Sequence, residues 1–231
     1  MNHKRIMRNV RDGHHVNSNY WKNYRRAMPP LPPALREIAT GMILGDASVS
    51  KRSLDGEAHI KFEQGRHQRA LIQDLFNHFQ AYCSMEAPQL YRNREGVVKS
   101  AWFRTFGHQS ISDLHDLFYE RRGDRYRKII KEGLVREHLT PRGLAYWIMS
   151  DGSRRHRVTI LHTAGFTRRE NEILATELHE KFGLCPKVIP HKDRYWVLRL
   201  ASSDGPRLTA LVRPWILPTM AYKLWEEKSK K

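Results

Sequence analysis

Two aspartates stand directly after two short apolar runs, and their carboxylates are the first candidates for chemistry in this sequence. Asp46 follows the run Ala39–Gly45, and Asp151 follows the run Leu144–Ser150. Both runs are too short to cross a membrane, and we interpret them as two helices that pack side by side through small residues. Such packing would bring the two carboxylates close together, where they repel each other unless a cation lies between them.

A cation held by carboxylate oxygens predicts a particular chemistry. Hard oxygen ligands suit Mg²⁺, and a metal flanked by carboxylates is common equipment for the in-line hydrolysis of phosphodiesters. One aspartate for each strand of a duplex would explain why the pattern occurs twice. A single Asp-Gly pair such as Asp151-Gly152 is also a common turn. The duplication, the apolar run before each aspartate and the basic stretch after each favour the metal-site interpretation.

The composition points to an anionic partner. The chain has 231 residues, a formal net charge of +17 and a sequence pI of about 10.2. The basic residues are spread along the chain among Tyr, Trp and Phe, which favours nucleic acid over a membrane surface. A basic structural RNA-binding protein of ribosomal type remains the alternative that charge alone allows.

The cysteines and the hydropathy pattern exclude several classes. The two cysteines, Cys83 and Cys185, form no CxxC pair, which excludes a zinc finger, makes a disulfide framework unexpected and predicts a reducing intracellular compartment. We find no apolar run long enough for a transmembrane helix and no signal-peptide core, so no membrane partner is expected.

The first 33 residues are predicted to form a basic arm. Seven Lys and Arg residues face a single aspartate, Asp12, and Tyr20, Trp21 and Tyr24 lie among them. The arm ends in Pro29–Pro33, whose prolines favour a stiff extended backbone. A DNA-tracking arm, a flexible tail and an Arg-rich transit peptide are the three open interpretations.

Periodicity and turn signals predict the same order of elements twice: helix, strand, strand, helix, strand, strand, helix. The two aspartates are 105 positions apart, which gives the offset of the duplication. The prediction is a mixed α+β fold with a basic arm over 1–33, a first half over 34–138 and a second half over 139–231.

In the first half we predict helices over 34–45, 68–82 and 110–119, a strand over 58–62, a hairpin over 88–106 and a partly helical segment over 125–137, broken at Gly133. In the second half we predict a helix beginning at Thr140-Pro141, a strand over 158–162, a helix with a Thr167–Glu170 capping box, a hairpin over 185–200 and a helix over 204–212.

The two aspartate motifs resemble those of the LAGLIDADG homing endonucleases. Thr40-Gly41-Met42-Ile43-Leu44-Gly45-Asp46-Ala47 is similar to the first motif of a two-motif member, and Leu144-Ala145-Tyr146-Trp147-Ile148-Met149-Ser150-Asp151-Gly152 is similar to the second. The resemblance covers roughly residues 35–225 and leaves the arm outside. Tyr146 and Ala47 depart from the pattern, because they stand where the motif usually has glycine.

The resemblance implies a fold and an activity. The expected fold has two pseudosymmetric αββαββα halves, whose antiparallel sheets form a DNA-binding saddle and whose motif helices pack at the central interface. The expected activity is that of a monomeric, site-specific endonuclease that promotes intron mobility. It would need Mg²⁺, with Mn²⁺ as a substitute, and would cut both strands of a long asymmetric duplex site to leave short 3′ overhangs.

The resemblance also implies roles for individual residues. Asp46 and Asp151 would bind metal together with the preceding Gly45 and Ser150, and Lys128 and Lys223 would be the active-site lysines. A lysine near the scissile phosphate can stabilise developing charge or orient water. Glu63 matches a peripheral active-site position. The second half has Thr163-Ala164 near the corresponding place, so the two active sites are expected to be unequal.

Basic residues and one histidine in or beside the predicted strands are the candidates for DNA contacts, because a two-stranded ribbon fits the major groove. They are Lys51, Arg52, His59, Lys61, Arg92, Arg94, Lys99 and Arg104 in the first half, and Arg154, Arg155, Arg157, Lys187, Lys192 and Arg194 in the second.

Two other functions stay open from the sequence. A cleavage-deficient intron maturase or a DNA- or RNA-binding protein could use the same fold, although the presence of both aspartates and both lysines argues against lost cleavage. The host compartment would be an organelle (mitochondrion or chloroplast) or the bacterial cytoplasm.

Overall fold

The repeated order of elements is present in the structure, a computed structural model that describes residues 11–53, 55–192 and 194–225. The arm and first half contain α1 (Asn19–Ala27), α2 (Pro33–Leu44), β1 (Ser48–Lys51), β2 (Ala58–Gly65), α3 (Arg69–Phe79), β3 (Gln89–Arg92), β4 (Val98–Arg104) and α4 (Gln109–Phe118). After them come β5 (Tyr119–Arg122), β6 (Arg125–Lys128), α5 (Pro141–Asp151), β7 (Gly152–Arg155), β8 (Val158–Leu161), α6 (Arg168–Phe182), β9 (Lys187–His191), β10 (Tyr195–Leu200) and α7 (Gly205–Val212). The predicted mixed α+β fold with two αββαββα repeats is confirmed.

Each repeat contains a four-stranded antiparallel sheet. The strand order is β1-β2-β4-β3 in the first and β7-β8-β10-β9 in the second, so the two sheets have the same topology. A separate hairpin, β5-β6, stands between the repeats along the chain. The described residues divide into two compact units, one within the ranges Met1–Leu35 and Asp46–His115 and the other within Arg36–Gly45 and Asp116–Lys231. From Arg36 onwards, α2 therefore belongs to the same unit as α5.

The first sheet is built from a strict alternation in β2. Ala58, Ile60 and Phe62 are fully buried, whereas the residues between them are half-buried. The buried face packs against α3, whose Leu75 and Phe79 are also fully buried. The faces of both sheets on the side away from their covering helix, α3 or α6, are called the open faces below.

Capping residues set the limits of the helices in the second half. The side chain of Thr140 accepts a hydrogen bond from the Gly143 amide and Pro141 occupies the first turn of α5. Thr167 and Glu170 form the predicted capping box of α6, and Gly183 ends that helix at φ +63°. These local signals were sufficient to predict where both helices begin.

The prediction of a partly helical segment over 125–137 was wrong for its first residues. Arg125–Lys128 is strand β6, which pairs with Tyr119–Arg122 across a turn at Gly123, φ +60°. Only Leu134–His138 is helical, as one π-helical turn after Gly133 at φ +89°. The positive φ at each glycine turns the backbone, which interrupts a continuous helix. The partner strand of β6 precedes residue 125, so the segment 125–137 by itself contains no sign of the pairing.

The described part of the arm is folded. Sequence reasoning missed helix α1, which Ser18 caps by accepting a hydrogen bond from the Trp21 amide. Trp21 is fully buried and lies 5.3 Å from the ring of Phe106. The flexible-tail interpretation is therefore wrong for residues 11–33, whereas residues 1–10 of the arm lie outside the described residues. Across the described chain, no helix combines the length and apolarity that a membrane crossing requires.

Candidate functional site

The two motif helices, α2 and α5, pack against each other at glycines. A Cβ atom on Gly41 would lie 1.9 Å from the carbonyl oxygen of Gly143 and 2.7 Å from its carbonyl carbon. No side chain fits there, because the obstacle is backbone. Tyr146 stands five residues before Asp151, as Gly41 stands five before Asp46, and it is buried. The close approach is thus supplied by Gly143, which explains how the second motif tolerates a tyrosine.

The ends of the motif helices are equally close. A Cβ atom on Gly45 would lie 2.1 Å from Oγ of Ser150 and 3.2 Å from Cβ of Asp151. Gly45 and Ser150, which the sequence placed beside the metal, therefore meet at this end of the helix pair. Asp46 is the next residue of the chain after Gly45.

Each motif helix receives a lysine at its carboxyl end. Nζ of Lys128 donates to the carbonyl oxygens of Ile43 at 2.7 Å and Gly45 at 3.3 Å. Nζ of Lys223 donates to the carbonyl oxygens of Ile148, at 3.1 Å, and Met149. Ile43 and Ile148 both stand three residues before their aspartate, so the two predicted lysines occupy equivalent places. The carbonyl end of a helix carries partial negative charge, which attracts an ammonium group.

Lys128 is positioned by a glutamate of the second half. Lys128 ends β6, and its neighbours Arg127 and Ile130 both bind Glu170, through the guanidinium at 3.0 Å and the backbone amide at 3.2 Å. Burial alone would raise the pKa of Glu170, but hydrogen bonds from Thr167 and Ile130, together with Arg127, lower it overall. The buried carboxylate of Glu170 in α6 therefore holds in place the strand that carries Lys128.

Lys223 is delivered by a different element. It ends a 3₁₀ segment, Pro218–Lys223, and its side chain is buried. The guanidinium of Arg154 binds the carbonyl oxygen of Leu224, the next residue. Arg154, a predicted DNA contact, therefore also holds the segment that carries Lys223.

Gln64 is a site residue that sequence reasoning missed. Its amide Nε2 donates to Oδ2 of Asp46 at 3.3 Å, and the side chain is 2 % exposed. Among the described residues, Oε1 of Gln64 has no hydrogen-bond partner. The signal was present in the strict alternation of β2, which places a polar residue on the buried face at position 64, and buried polar groups are informative.

Glu63, the predicted peripheral residue, lies on the open face of the first sheet. Its carboxylate accepts hydrogen bonds from Lys61 and Ser100, each at 2.6 Å. These two bonds, that from Lys61 first, hold the pKa of Glu63 below its ordinary value. Gln64, one residue further, is the side chain that contacts Asp46.

The second half has no glutamine at the equivalent place. The registers Ser48 with Lys61 and Ser153 with Ile160 align Gln64 with Thr163. The buried hydroxyl of Thr163 donates to the side-chain oxygen of Asn171. The second aspartate therefore has a different neighbour at this position.

Several predicted DNA contacts of the first half share the open face. His59, Lys61 and Arg104 lie there, with Lys61 directly opposite Arg104. Lys51 and Lys99 instead lie on the helix-covered side, each two residues from a buried residue of the same strand, Val49 or Ala101. The other three lie at strand ends or in turns: Arg52 follows β1, Arg92 is the last residue of β3, and Arg94 lies in the turn before β4.

The open face of the second sheet carries Arg155 and Lys187 among the predicted contacts, and Arg199, which sequence reasoning missed. Lys187 pairs with Arg199, and Arg199 with Ile160. Strand alternation in β10 could have identified Arg199, because Trp196, Leu198 and Leu200 point the other way. Arg157, Lys192 and Arg194 lie in the turns of the two hairpins, and Arg154 falls on the helix-covered side.

The donors at the helix ends are oxygens. Asp46 and Asp151 offer one carboxylate each, and the unpartnered Oε1 of Gln64 adds a neutral oxygen beside Asp46. Each aspartate, taken separately, offers the hard oxygen donors that a divalent cation of the Mg²⁺ class prefers. Over the parts of the chain that the structure describes, no group of three or more His, Cys, Asp or Glu residues is placed to hold a metal ion.

The chain is similar to several known proteins. A probable intron-encoded DNA endonuclease of Mycosarcoma maydis is 46% identical over 132 residues, which are 56% of this chain and 96% of that protein. A cytochrome b mRNA maturase bI2 of Debaryomyces hansenii is 30% identical over 207 residues, covering 84% of this chain and 75% of that one. The solved structure of the homing endonuclease I-WcaI bound to its DNA recognition sequence matches with a TM-score of 0.82 and 31% identity, over 93% of this chain and 96% of that chain.

A family model covers most of the folded chain. The model of the LAGLIDADG DNA endonuclease family matches residues 36–208, which include both motif helices and both sheets. The match begins just after the arm and ends before the segment that carries Lys223. The resemblance seen in the two sequence motifs thus extends to the whole pattern of elements, and the chain belongs to the LAGLIDADG DNA endonuclease family.

Proposed function

We propose that this protein is a site-specific, Mg²⁺-dependent DNA endonuclease. It hydrolyses one phosphodiester in each strand of a long asymmetric duplex site, leaves short 3′ overhangs, works as a monomer and promotes the mobility of the intron that encodes it. One observation carries the proposal: the carboxyl end of each of two packed helices leads to an aspartate and accepts a lysine on its carbonyl oxygens. Two such sites in one chain suit the two strands of a duplex.

Asp46 and Asp151 are the proposed metal-binding residues. When bound, Mg²⁺, or Mn²⁺ in its place, supplies positive charge that stabilises the phosphodiester as negative charge develops on its oxygens. Gln64 fixes one oxygen of Asp46 by a hydrogen bond, which sets the orientation of the carboxylate. Gly45 and Ser150 allow the helix ends to approach, so their small size is their proposed contribution.

Lys128 and Lys223 are the proposed cationic partners of the scissile phosphates. Each ammonium group is held by two main-chain carbonyls, which limit its motion. A fixed positive charge beside a phosphate stabilises the charge that develops during hydrolysis, and it can orient the attacking water. Glu170 contributes by positioning β6.

The open faces of the two sheets are the proposed DNA-binding surfaces. Each is an antiparallel surface of strands and hairpins, a shape that fits the major groove. On it, Arg side chains can pair with guanine, whereas Lys more often meets phosphate. The charge of +17 predicts that affinity falls steeply with salt.

A second candidate function is maturation of intron RNA by the same fold. The similarity to a cytochrome b mRNA maturase over 84% of the chain is the observation in its favour. The presence of two complete Asp and Lys sets favours cleavage, because binding alone requires neither.

A cleavage assay tests the proposal directly. The probe is a duplex made from the sequences that flank this reading frame, joined as they would be without the intron. The purified protein is incubated with it in Mg²⁺, in Mn²⁺ and in EDTA, and we expect a double-strand cut with 3′ overhangs in either metal and none in EDTA. Tight binding without a cut would refute the endonuclease proposal and favour the maturase, whereas a cut in EDTA would refute the metal requirement.

A further inference from the structure

The described part of the arm, residues 11–33, is held against the first sheet's unit by hydrogen bonds. The amide of Arg11 donates to the carbonyl oxygen of Ser84, and Tyr24 donates to that of Ala81. At the other end of α1, the Tyr82 hydroxyl reaches the carbonyl of Pro30, and the Leu31 amide donates to Ser110. Helix α1 is thus tied to the first sheet's unit at both ends, and its basic residues have defined positions.

A cleft of about 820 Å³, called the arm cleft, lies between the arm and the first sheet. The wall formed by the arm includes Lys22, Arg25 and Arg26, and the wall formed by the first sheet and the segment after β1 includes Arg52 and Arg104. His59 and Trp102, from the open face, also line it. The arm cleft is therefore continuous with the proposed DNA-binding surface.

The arm cleft has a strong excess of positive charge. Five cationic side chains line it against one carboxylate, that of Glu57. Lys22, Arg26, Arg52 and Arg104 form no ion pair with any residue that the structure describes. Burial and then the neighbouring Arg52 lower the pKa of Arg104. Cations crowded in this way are stabilised when an anion binds among them.

The size and lining of the arm cleft fit a polymer backbone. Its cations come both from the arm and from the first sheet with the segment after β1. An extended phosphate chain can contact both walls at once, and cations that contact phosphates position a duplex without reading its sequence. Because the open face of the sheet forms one wall, a duplex lying on that face would continue into the groove.

We propose that the arm cleft binds the sugar-phosphate backbone of duplex DNA beyond the base pairs that the first sheet contacts, so that α1 lengthens the bound site at that end. The inference rests on the proposed function, since it needs a DNA duplex on the open face. It adds a contact outside the family match, which begins at residue 36. It also gives the basic arm a partner.

The test is a double substitution, Lys22→Gln with Arg26→Gln. Both side chains are exposed and neither supports the fold, whereas Arg25 binds the Trp21 carbonyl and is left intact. The matched control is Arg168→Gln with Arg169→Gln, which removes the same charge from helix α6, on the covered side of the second sheet. Binding to the joined flanking duplex is measured by fluorescence anisotropy over a series of salt concentrations, with a hydroxyl-radical footprint.

The expected result separates affinity from chemistry. Loss of two phosphate contacts should reduce the slope of log K against log salt by about 2, and the footprint should shorten at one end only. The cleavage rate of the saturated complex should not change. The control should keep the slope and footprint of the natural protein.

Other outcomes overturn specific claims. A double variant with the slope and footprint of the control would refute the role of the arm cleft while leaving the endonuclease proposal intact. A natural protein that neither binds nor cuts the duplex would refute the endonuclease proposal itself. If the double substitution weakened binding of a transcript of the intron but not of the duplex, the arm cleft would be an RNA site and our proposal would be wrong.

Discussion

Lys128 and Lys223 each donate to one equivalent carbonyl oxygen, that of Ile43 or Ile148, but they are carried by two unrelated segments. Lys128 comes from a hairpin between the repeats, anchored by Glu170, and Lys223 comes from a 3₁₀ segment after α7. Both segments lie outside the αββαββα pattern that the two halves share. The duplicated elements therefore carry the aspartates, whereas the two lysines lie on two different segments outside the duplication.

The surroundings of the aspartates differ as well. Asp46 receives a hydrogen bond from the buried Gln64, and the aligned Thr163 instead binds Asn171. The environments of the two aspartates therefore differ at this position. The sequence prediction of two unequal active sites rested on a different residue, Glu63, and stays a prediction. The following predictions test how far this inequality extends.

The largest effect is expected from Asp46→Asn and from Asp151→Asn. Each change removes a carboxylate charge at a proposed metal site, and we expect double-strand cleavage to fall by about 10³-fold or more with binding largely kept. Strand-specific end labels on the duplex would show which strand each variant still nicks. Asp124→Asn, at an exposed turn, is the matched control and should cut normally. Full cutting by the doubly substituted protein would refute the assignment of the site.

The next effect concerns the helix contact. Gly41→Ala would push a Cβ atom into the backbone of Gly143, and we expect a loss of unfolding free energy of about 3 kcal/mol or more. The measurement is urea-induced unfolding, followed by tryptophan fluorescence. Gly165→Ala is the control, because a Cβ atom there meets nothing within 4 Å. Equal midpoints for the two variants would show that the helices can separate without cost.

Glu170→Gln should affect the first site more than the second. It weakens the ties to Arg127 and Ile130, so Lys128 loses its fixed position, and we expect a cleavage rate about tenfold lower. Thr167→Ala also damages the start of α6 but leaves both ties to β6, so it controls for lost stability. The assay is single-turnover cleavage with each strand labelled separately. An equal decrease in the cleavage rates of both strands, or equal rates for the two variants, would contradict the positioning role of Glu170.

The same carboxylate predicts a pH dependence. The pKa of Glu170 is lower in the folded protein than in the unfolded chain, so its contribution to stability is complete above the unfolded value. It is lost as the pH falls through the folded value, and the natural protein should lose more stability below about pH 4.5 than Glu170→Gln does. Unfolding measured across a pH series from neutral to acid gives this difference. Parallel curves for the two proteins would contradict it.

How much could be predicted from the sequence depended on how local each signal was. Thr140, the Thr167 and Glu170 pair and the alternation around Ile60 act within a few residues, and they gave the correct elements. Strand Arg125–Lys128 was missed because its partner strand lies upstream. Helix α1 was missed because its fully buried Trp21 lies in a stretch interpreted as a basic arm. The two lysines were proposed as site residues through the family resemblance. No spacing rule connects them to their aspartates, since each reaches its helix through tertiary structure.

The smallest expected effect concerns how the two open faces differ. The first carries His59, Lys61 and Arg104, whereas the second has half-buried Val158 and Ile160 beside its charged residues. Polar groups hydrogen-bond to base edges, and apolar groups contact the methyl group of thymine. The second half should therefore discriminate thymine mainly by apolar contact.

Ile160→Ala tests this difference between the faces. We expect it to reduce discrimination at one A·T position by about 1 kcal/mol, or about fivefold, without changing the salt dependence of binding. Lys61→Ala should instead reduce the salt slope by about 1 and weaken binding to all sequences alike, as expected if it contacts phosphate. Competition binding against single-base variants of the duplex measures both effects, and Val188→Ala, on the covered face, is the control. If Ile160→Ala weakened binding to all sequences equally, Ile160 would contribute to packing and not to base recognition. Both halves would then recognise bases through polar side chains, and the proposed difference between the faces would be wrong.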